Sequence, residues 1–365
     1  KNIILMKRYL TVGPTQIHPI VKQVFVNAIN NGIFSLSHRS AGFREIYDST
    51  CDSLRNLLSI PADRRIFFLS SATECMERLL QGTVENKSYH FVNGCFAERF
   101  YNISKSLGKF PIANHVEFGE GFEPCNVQID NDVEVICLTQ NETSTGVMLN
   151  PESVCSLKEK YPDKLLLIDS VTGLPYSKFD YSKTDAVFFS VQKGFGLPPG
   201  LGVMIVSEDV INRASYLNGK SLSTGSYNSI TELDKNAKKS ETTITPNTVG
   251  IFLLGKVCES FLNTGIEKIR TETKQKAEMI YDAISKSPDV YSFVQEDKYK
   301  SVTTISAGCK IDSSVVINHL ADYNLIVSQG YKSFSNNQIR IANFPVQTFE
   351  DIQKLCKHLP ELSII

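Results

Sequence analysis

The chain has no tryptophan, no C-x-x-C pair among its nine cysteines and no excess of charge of either sign. Cysteines scattered without paired spacing suggest neither a metal site nor a disulfide framework, and they read as free thiols of a reducing cytoplasm. Formal net charge is -1, from 38 Lys and Arg against 39 Asp and Glu, with no long block of one sign. Nucleic acid and anionic membrane both need a concentrated positive face, so neither is expected as a partner. No apolar run approaches membrane-spanning length, and Ile3-Ile4-Leu5-Met6 is too short for the apolar core of a signal peptide. Internal repeats and low-complexity segments are missing as well.

What is present suits a globular enzyme-sized protein. The 365 residues are 42% apolar and 21% charged, enough to bury a large core and too many for one ordinary domain. From Arg65 onward the pattern is strand, small-residue turn, helix, repeated. Strands are expected at Arg65 to Leu69, Tyr89 to Val92, Val133 to Thr139, Lys164 to Ile168 and Asp185 to Phe189, with helices between them. Such α/β alternation argues for a mainly parallel sheet covered by helices. Ser221 to Thr245 is rich in Ser, Thr, Asn and Lys and reads as an exposed crossing segment. Beyond it, short strands and helices alternate as a smaller α+β domain. The expected division is 16-245 for the large part, and 1-15 with 246-365 for the small one.

Ligands of parallel sheets bind beyond the carboxyl ends of the strands, so the residues at those ends carry the functional argument. Ser71-Ala72-Thr73 joins a strand to a helix start, where backbone N–H groups and hydroxyls favour a phosphate. Phe96 begins the next helix and could stack on a planar ring. Asn141 to Gly146, NETSTG, is more polar than a turn requires. Asp169 ends its strand with a carboxylate. Lys193 follows the last of these strands, in Ser190 to Gly202, SVQKGFGLPPGLG. Taken singly, each is an ordinary cap, core aromatic or turn residue. Taken in order, they are the parts needed to hold pyridoxal phosphate: a lysine for its aldehyde, a carboxylate for its ring nitrogen, an aromatic plate and a phosphate cradle.

With those residues in hand, the chain resembles the class V aminotransferases of the fold-type I pyridoxal-phosphate enzymes, in the branch of phosphoserine and serine/alanine–glyoxylate aminotransferases. The likeness runs from about Leu10 to His358 and is most specific at NETSTG, Asp169-Ser170-Val171 and the segment around Gln192-Lys193. The resemblance implies that Lys193 forms the Schiff base and shuttles a proton, and that Asp169 holds the pyridine nitrogen. It implies further that Thr143 reaches the ring hydroxyl, that Phe96 and Val171 pack the two ring faces, and that Ser71, Ala72, Thr73 and Gln192 bind the phosphate. Thr245 matches a threonine that reaches the phosphate of a neighbouring subunit, which implies a homodimer with shared sites.

For substrate, the resemblance gives Arg340 to the α-carboxylate. It gives His38 and Arg39, in the Ser37-His38-Arg39-Ser40 loop, to the distal acidic group. One position departs from the phosphoserine enzymes: Glu74 stands where they carry a further arginine, and a carboxylate there would oppose a phosphorylated or dicarboxylic substrate. NETSTG and the Pro-Pro-Gly after the lysine lean toward the glyoxylate branch. The expected reaction is ping-pong transfer of an amino group between a small amino acid (phosphoserine, serine or alanine) and a 2-oxo acid. Two other readings stand beside it: a cysteine desulfurase-like or other lyase, and a non-catalytic protein that keeps the fold.

Overall fold

Ala186-Val187-Phe188-Phe189 is apolar at every position, which suits a strand covered on both faces rather than one. The structure, a computed structural model, describes residues 7–361; the Ile3 to Met6 stretch lies outside them. The chain opens with β1 (Arg8–Leu10), α1 (Ile20–Asn30) and α2 (Ala41–Leu58), followed by β2 (Arg65–Leu69), α3 (Ala72–Thr83), β3 (Lys87–Val92) and α4 (Cys95–Ser106). Next come β4 (Phe110–His115), β5 (Val135–Thr139), the short pair β6 (Asn141–Glu142) and β7 (Val147–Met148), α5 (Pro151–Lys160) and β8 (Leu165–Asp169). Then follow β9 (Ala186–Ser190), β10 (Gly202–Val206), α6 (Glu208–Gly219), α7 (Ile230–Ala237), α8 (Thr248–Thr264) and α9 (Ile266–Lys286). The last elements are β11 (Val290–Ser292), β12 (Thr304–Cys309), α10 (Ser313–Asp322), β13 (Leu325–Gln329), β14 (Gln338–Ala342) and α11 (Phe349–His358).

Seven strands form the large sheet in the order β2-β10-β9-β8-β5-β3-β4. All run the same way except β10, which is antiparallel to both β2 and β9. Successive residues feed opposite cores, as strand geometry demands. Val187 and Phe189 join the core beneath α1, α2 and α8, whereas Ala186 and Phe188 join the one beneath α3, α4, α6 and α7. Phe188 and Phe189 are fully buried, worth about 1.5–3 kcal/mol each over exposure. This three-layer arrangement is that of an α/β protein with a mainly parallel sheet.

A five-stranded sheet, β1-β13-β14-β12-β11, forms the smaller part with α9, α10 and α11 around its core. Two details differ from the sequence reading. Helix α8, placed in the small part by a division after residue 245, instead puts Ile251, Leu254, Val257, Cys258 and Phe261 into the large core. The core changes within α9, where Ile269 belongs to the large cluster and Ala277 and Ile280 to the small one. The segment 221–245 is not simply exposed, because it folds into α7 and buries Ile230, Leu233 and Asp234. Its other positions are polar enough to mask that single apolar stripe.

The hairpin of β6 and β7 is the seam between the sheets. Ser301 N donates to Gly146 O at 2.9 Å, and Asn141 Nδ2 donates to Thr303 Oγ1 at 2.6 Å. Among the described residues, no single helix is long and apolar enough to cross a membrane.

Candidate active site

Because β2, β3, β5, β8 and β9 share a direction, their carboxyl ends lie along one edge of the large sheet. Asp169 is the last residue of β8, and Ser71, Phe96, Thr143 and Lys193 follow the ends of β2, β3, β5 and β9 within a few residues. The small sheet adds Arg340 from the middle of β14, opposite Ser306 on β12 and Ser328 on β13.

Lys193 sits beneath the N-terminal segment, with Nζ donating to the Val12 carbonyl at 2.7 Å. Gly13 lies directly across it: a Cβ there would fall 2.1 Å from Nζ, and its φ of 139° is one that side-chain-bearing residues rarely adopt. Burial, and then the Arg340 charge, lower the Lys193 pKa to about 8, with Asp169 opposing. Asp169 is 2% exposed, and burial raises its carboxyl to about 7 against a 2.9 Å hydrogen bond from Val171 N. A buried carboxyl accepting so little calls for a cationic N–H partner.

Residues Ser71 to Thr73 were read as a turn ahead of the helix. The structure makes Ser71 the N-cap of α3 and puts Ala72 and Thr73 in its first turn. Ser71 Oγ accepts from Glu74 N at 3.1 Å, which leaves its O–H to donate elsewhere. Ala72 N is bound by Ser190 Oγ at 2.8 Å, while the Thr73 amide has no partner among the described residues. Gly202 lets β10 pass close behind, since a Cβ there would fall 2.5 Å from the Ser71 carbonyl carbon. Gln192 Oε1 is buried without a partner. An open amide at a helix start, an idle hydroxyl and an orphaned amide oxygen fit a phosphate cradle, and Lys193 with Asp169 fits the rest of pyridoxal phosphate.

The polar loop proves to be a brace. Glu142, fully buried, accepts from Phe96 N at 3.1 Å, Ala97 N at 2.9 Å, Ser144 N at 3.0 Å and Ser144 Oγ at 2.7 Å. It thereby caps α4, whose preceding residue Gly94 has no side chain to do so. Burial still raises its carboxyl above the ordinary range. Thr143 Oγ1 lies 3.1 Å from Thr172 Oγ1, and its carbonyl accepts from Arg340 Nη1 at 3.3 Å.

Arg340 is 8% exposed, donates also to Gln329 O at 3.0 Å, and makes no ion pair with a described residue. Burial lowers its pKa below the usual guanidinium value. Three residues escaped the sequence reading here. Tyr331 stacks on Phe96 at 5.3 Å and lies under Arg340, and Arg99 joins both rings. These contacts link α4 to the segment after β13, a proximity that spacing along the chain does not encode. Glu142 lay within the polar NETSTG stretch already singled out, where its neighbours gave no sign that it would cap α4.

His38, Arg39 and Thr245 are gathered apart from Lys193. Thr245 Oγ1 lies 3.3 Å from His38 Nδ1, while Arg39 donates to Asn236 Oδ1 at 3.0 Å and pairs with Glu241, which Arg44 also holds. No hydrogen bond or ion pair joins this group to Lys193, Asp169 or Arg340. Glu74 is likewise engaged. Its carboxylate accepts from Ser70 N at 2.8 Å, Ser70 Oγ at 2.6 Å and Asn228 Nδ2 at 2.7 Å. Burial opposes that charge, but these bonds and Arg78 hold the carboxyl below its ordinary value. Glu74 is therefore hydrogen-bonded but ionised, and its charge still opposes any acidic group brought near it.

A profile of the Aminotransferase class-V family matches residues 111–355. A phosphoserine aminotransferase of Rhodococcus opacus (strain B4) is 26% identical over 355 residues, covering 95% of this chain and 92% of that protein. The crystal structure of a phosphoserine aminotransferase from Cytophaga hutchinsonii superposes with a TM-score of 0.95 at 41% identity, over 98% of this chain and 99% of that one. A phosphoserine aminotransferase from Trichomonas vaginalis, solved with pyridoxal phosphate bound, shares the fold at 17% identity, with a TM-score of 0.81 over 97% and 99% of the two chains. These findings favour neither alternative reading.

Proposed function

The chain belongs to the class-V aminotransferases and is a pyridoxal-phosphate-dependent aminotransferase, and we propose that its amino donor is a small amino acid bearing a distal acidic group, phosphoserine foremost, with a 2-oxo acid as acceptor. The observation that carries the aminotransferase reading is Arg340, a buried cation without an ion-pair partner among the described residues, whose charge acts on Lys193 and which suits the α-carboxylate common to all amino acids; the distal acidic group rests on the name of the relative. The name borne by the 41% identical relative supports the choice of donor, while the Glu74 carboxylate, bonded to Ser70 and Asn228, keeps its charge and stands against it.

When bound, pyridoxal phosphate supplies an aldehyde carbon to receive the amino group and a ring that draws electrons from the substrate Cα. Lys193 holds the aldehyde end, and its amine, neutral above about pH 8, then takes the Cα proton at Nζ and returns it to the acceptor carbon. Asp169 keeps the ring nitrogen protonated, while Thr143 holds the ring hydroxyl and Phe96 and Val171 bracket the ring. Ser71, Ala72, Thr73 and Gln192 bind the phosphate. Arg340 grips the α-carboxylate, its planar fork matching two oxygens at once.

The working form is a homodimer in a reducing cytoplasm. Exposed Phe25 and Phe34 line a cleft with the Thr245 segment and support a second copy there, which would bring Thr245 and the His38-Arg39 loop toward the partner's cofactor. The nine cysteines are all free thiols, in keeping with that compartment. Sedimentation at micromolar protein should give twice the mass of one chain, and a monomer would remove the shared-site part of the proposal.

The deciding experiment mixes holoprotein with single amino acids and follows the cofactor absorbance. Faster conversion by phosphoserine than by serine or alanine is expected. Conversion by none of them would overturn the reading.

A further inference from the structure

Arg99 stands on α4 one turn beyond Phe96, so its guanidinium folds back over that ring, 4.9 Å from the centroid. Its Nη2 donates to the Tyr331 hydroxyl at 3.0 Å. The Tyr331 ring, stacked on Phe96, lies 5.4 Å beneath the Arg340 guanidinium. Two guanidinium groups thus flank one phenol where the two sheets meet.

Neither arginine has a carboxylate within ion-pair distance among the described residues, and the acids nearby are committed. Glu98 pairs with Lys332, Glu142 is enclosed by four donors, and Asp169 faces the lysine. Buried Arg340 and half-buried Arg99 both lie against Tyr331 without an ion pair, and a cation taken from water without one is unfavourable, so an anion for each is expected from a ligand. The Arg99 charge is felt at both Lys193 and Asp169, where burial dominates: it adds to the lowering of the lysine and opposes the raising of the carboxyl. Arg39, by contrast, already pairs with Glu241, a carboxylate it shares with Arg44.

We propose that Arg99, with the Tyr331 hydroxyl, forms a second anion subsite that takes the distal acidic group of the amino donor, a phosphate monoester or a carboxylate, while Arg340 holds the α-carboxylate. This assignment rests on the donor class proposed above. It makes Arg99 the residue that separates dianionic from neutral amino acids. Its Nε and Nη1 groups, without partners among the described residues, supply the donors.

The test compares wild-type and Arg99→Gln holoenzyme in single turnovers with phosphoserine, glutamate and alanine. The phosphoserine-to-alanine or glutamate-to-alanine ratio of second-order rate constants should fall by roughly 10- to 150-fold, the range for losing a charge-assisted hydrogen bond. Whichever ratio falls identifies the acid the subsite takes. Arg99→Lys, which keeps the charge and loses the fork, should recover part of the loss. An equal change for all three donors, no change, or a larger fall in Arg39→Gln would overturn the proposal. Calorimetry of inorganic phosphate and glutarate binding to the holoenzyme gives a readout without turnover: weaker binding in Arg99→Gln supports the subsite, and unchanged binding overturns it. Should Arg99→Gln fail to fold, Tyr331→Phe removes the hydroxyl and keeps the stacking; it should lower the same ratios, and an unchanged set would count against the subsite. If the wild type accepts none of the three donors, the donor class fails, and the calorimetry alone decides on Arg99.

Discussion

Arg340 and Arg39 are both expected, from the resemblance, to hold acidic groups of the substrate, yet the fold treats them in opposite ways. Arg340 is buried in a central strand, donates only to carbonyls and lacks a counter-ion. Arg39 lies on an exposed loop and shares Glu241 with Arg44. Burying a lone charge is costly, so a fold that keeps one there leaves an anion still to be supplied. A paired surface charge is already satisfied and contributes little on its own. The contrast therefore separates a cation that is waiting for substrate from one that is occupied until a partner copy or a ligand draws it away.

The predictions press on that contrast from its strongest point. Lys193→Ala removes the amine that the buried arginine serves and should lower amino transfer by at least roughly 10³-fold, general base and nucleophile being lost together. Circular dichroism should show the fold retained; undiminished transfer would show that the lysine is misassigned. Arg340→Gln should raise the KM for every amino acid by about 10- to 150-fold with a smaller change in kcat. A loss confined to dianionic donors would instead exchange the roles of Arg340 and Arg99.

Gly13→Ala crowds the lysine without touching either arginine. It should slow cofactor capture roughly tenfold, within the ~10²-fold that a misplacement of about an ångström can cost. In wild-type apoprotein, capture depends on neutral Lys193. The folded pKa lies below the free value, so the reactive form is present above about pH 8 and lost as pH falls through it. A capture midpoint near 10.5 would mean a solvated lysine. The smallest effect belongs to Arg39→Gln: less than about threefold on alanine turnover, with little change in Tm, as expected of a paired surface charge.

Much of this was legible in the chain itself. Uninterrupted apolar runs ending in Asp169 or leading to Lys193 announce buried parallel strands, and chemistry gathers where such strands end. The alternation also located β2, β5, β8 and β9 to within two residues. Edge strand β4 was not anticipated, because Phe110 to His115 mixes exposed and partly buried positions. Helix α7 was hidden by polar neighbours. Glu74 was read by its charge alone, and only the position of Asn228, 154 residues away, shows that the charge is engaged. Arg99 and Tyr331 lie 232 residues apart and become a pair only when the two sheets meet. Local pattern reports which residues reach a strand end; tertiary contact decides which of their charges remain available.

The central claim, that this edge of the sheet is organised around Lys193, has a direct test. Holoprotein is reduced with borohydride, digested, and its peptides are weighed to find the lysine that carries the cofactor. The account predicts the added mass on the peptide containing Lys193. The same mass on another lysine, or on none, would contradict it.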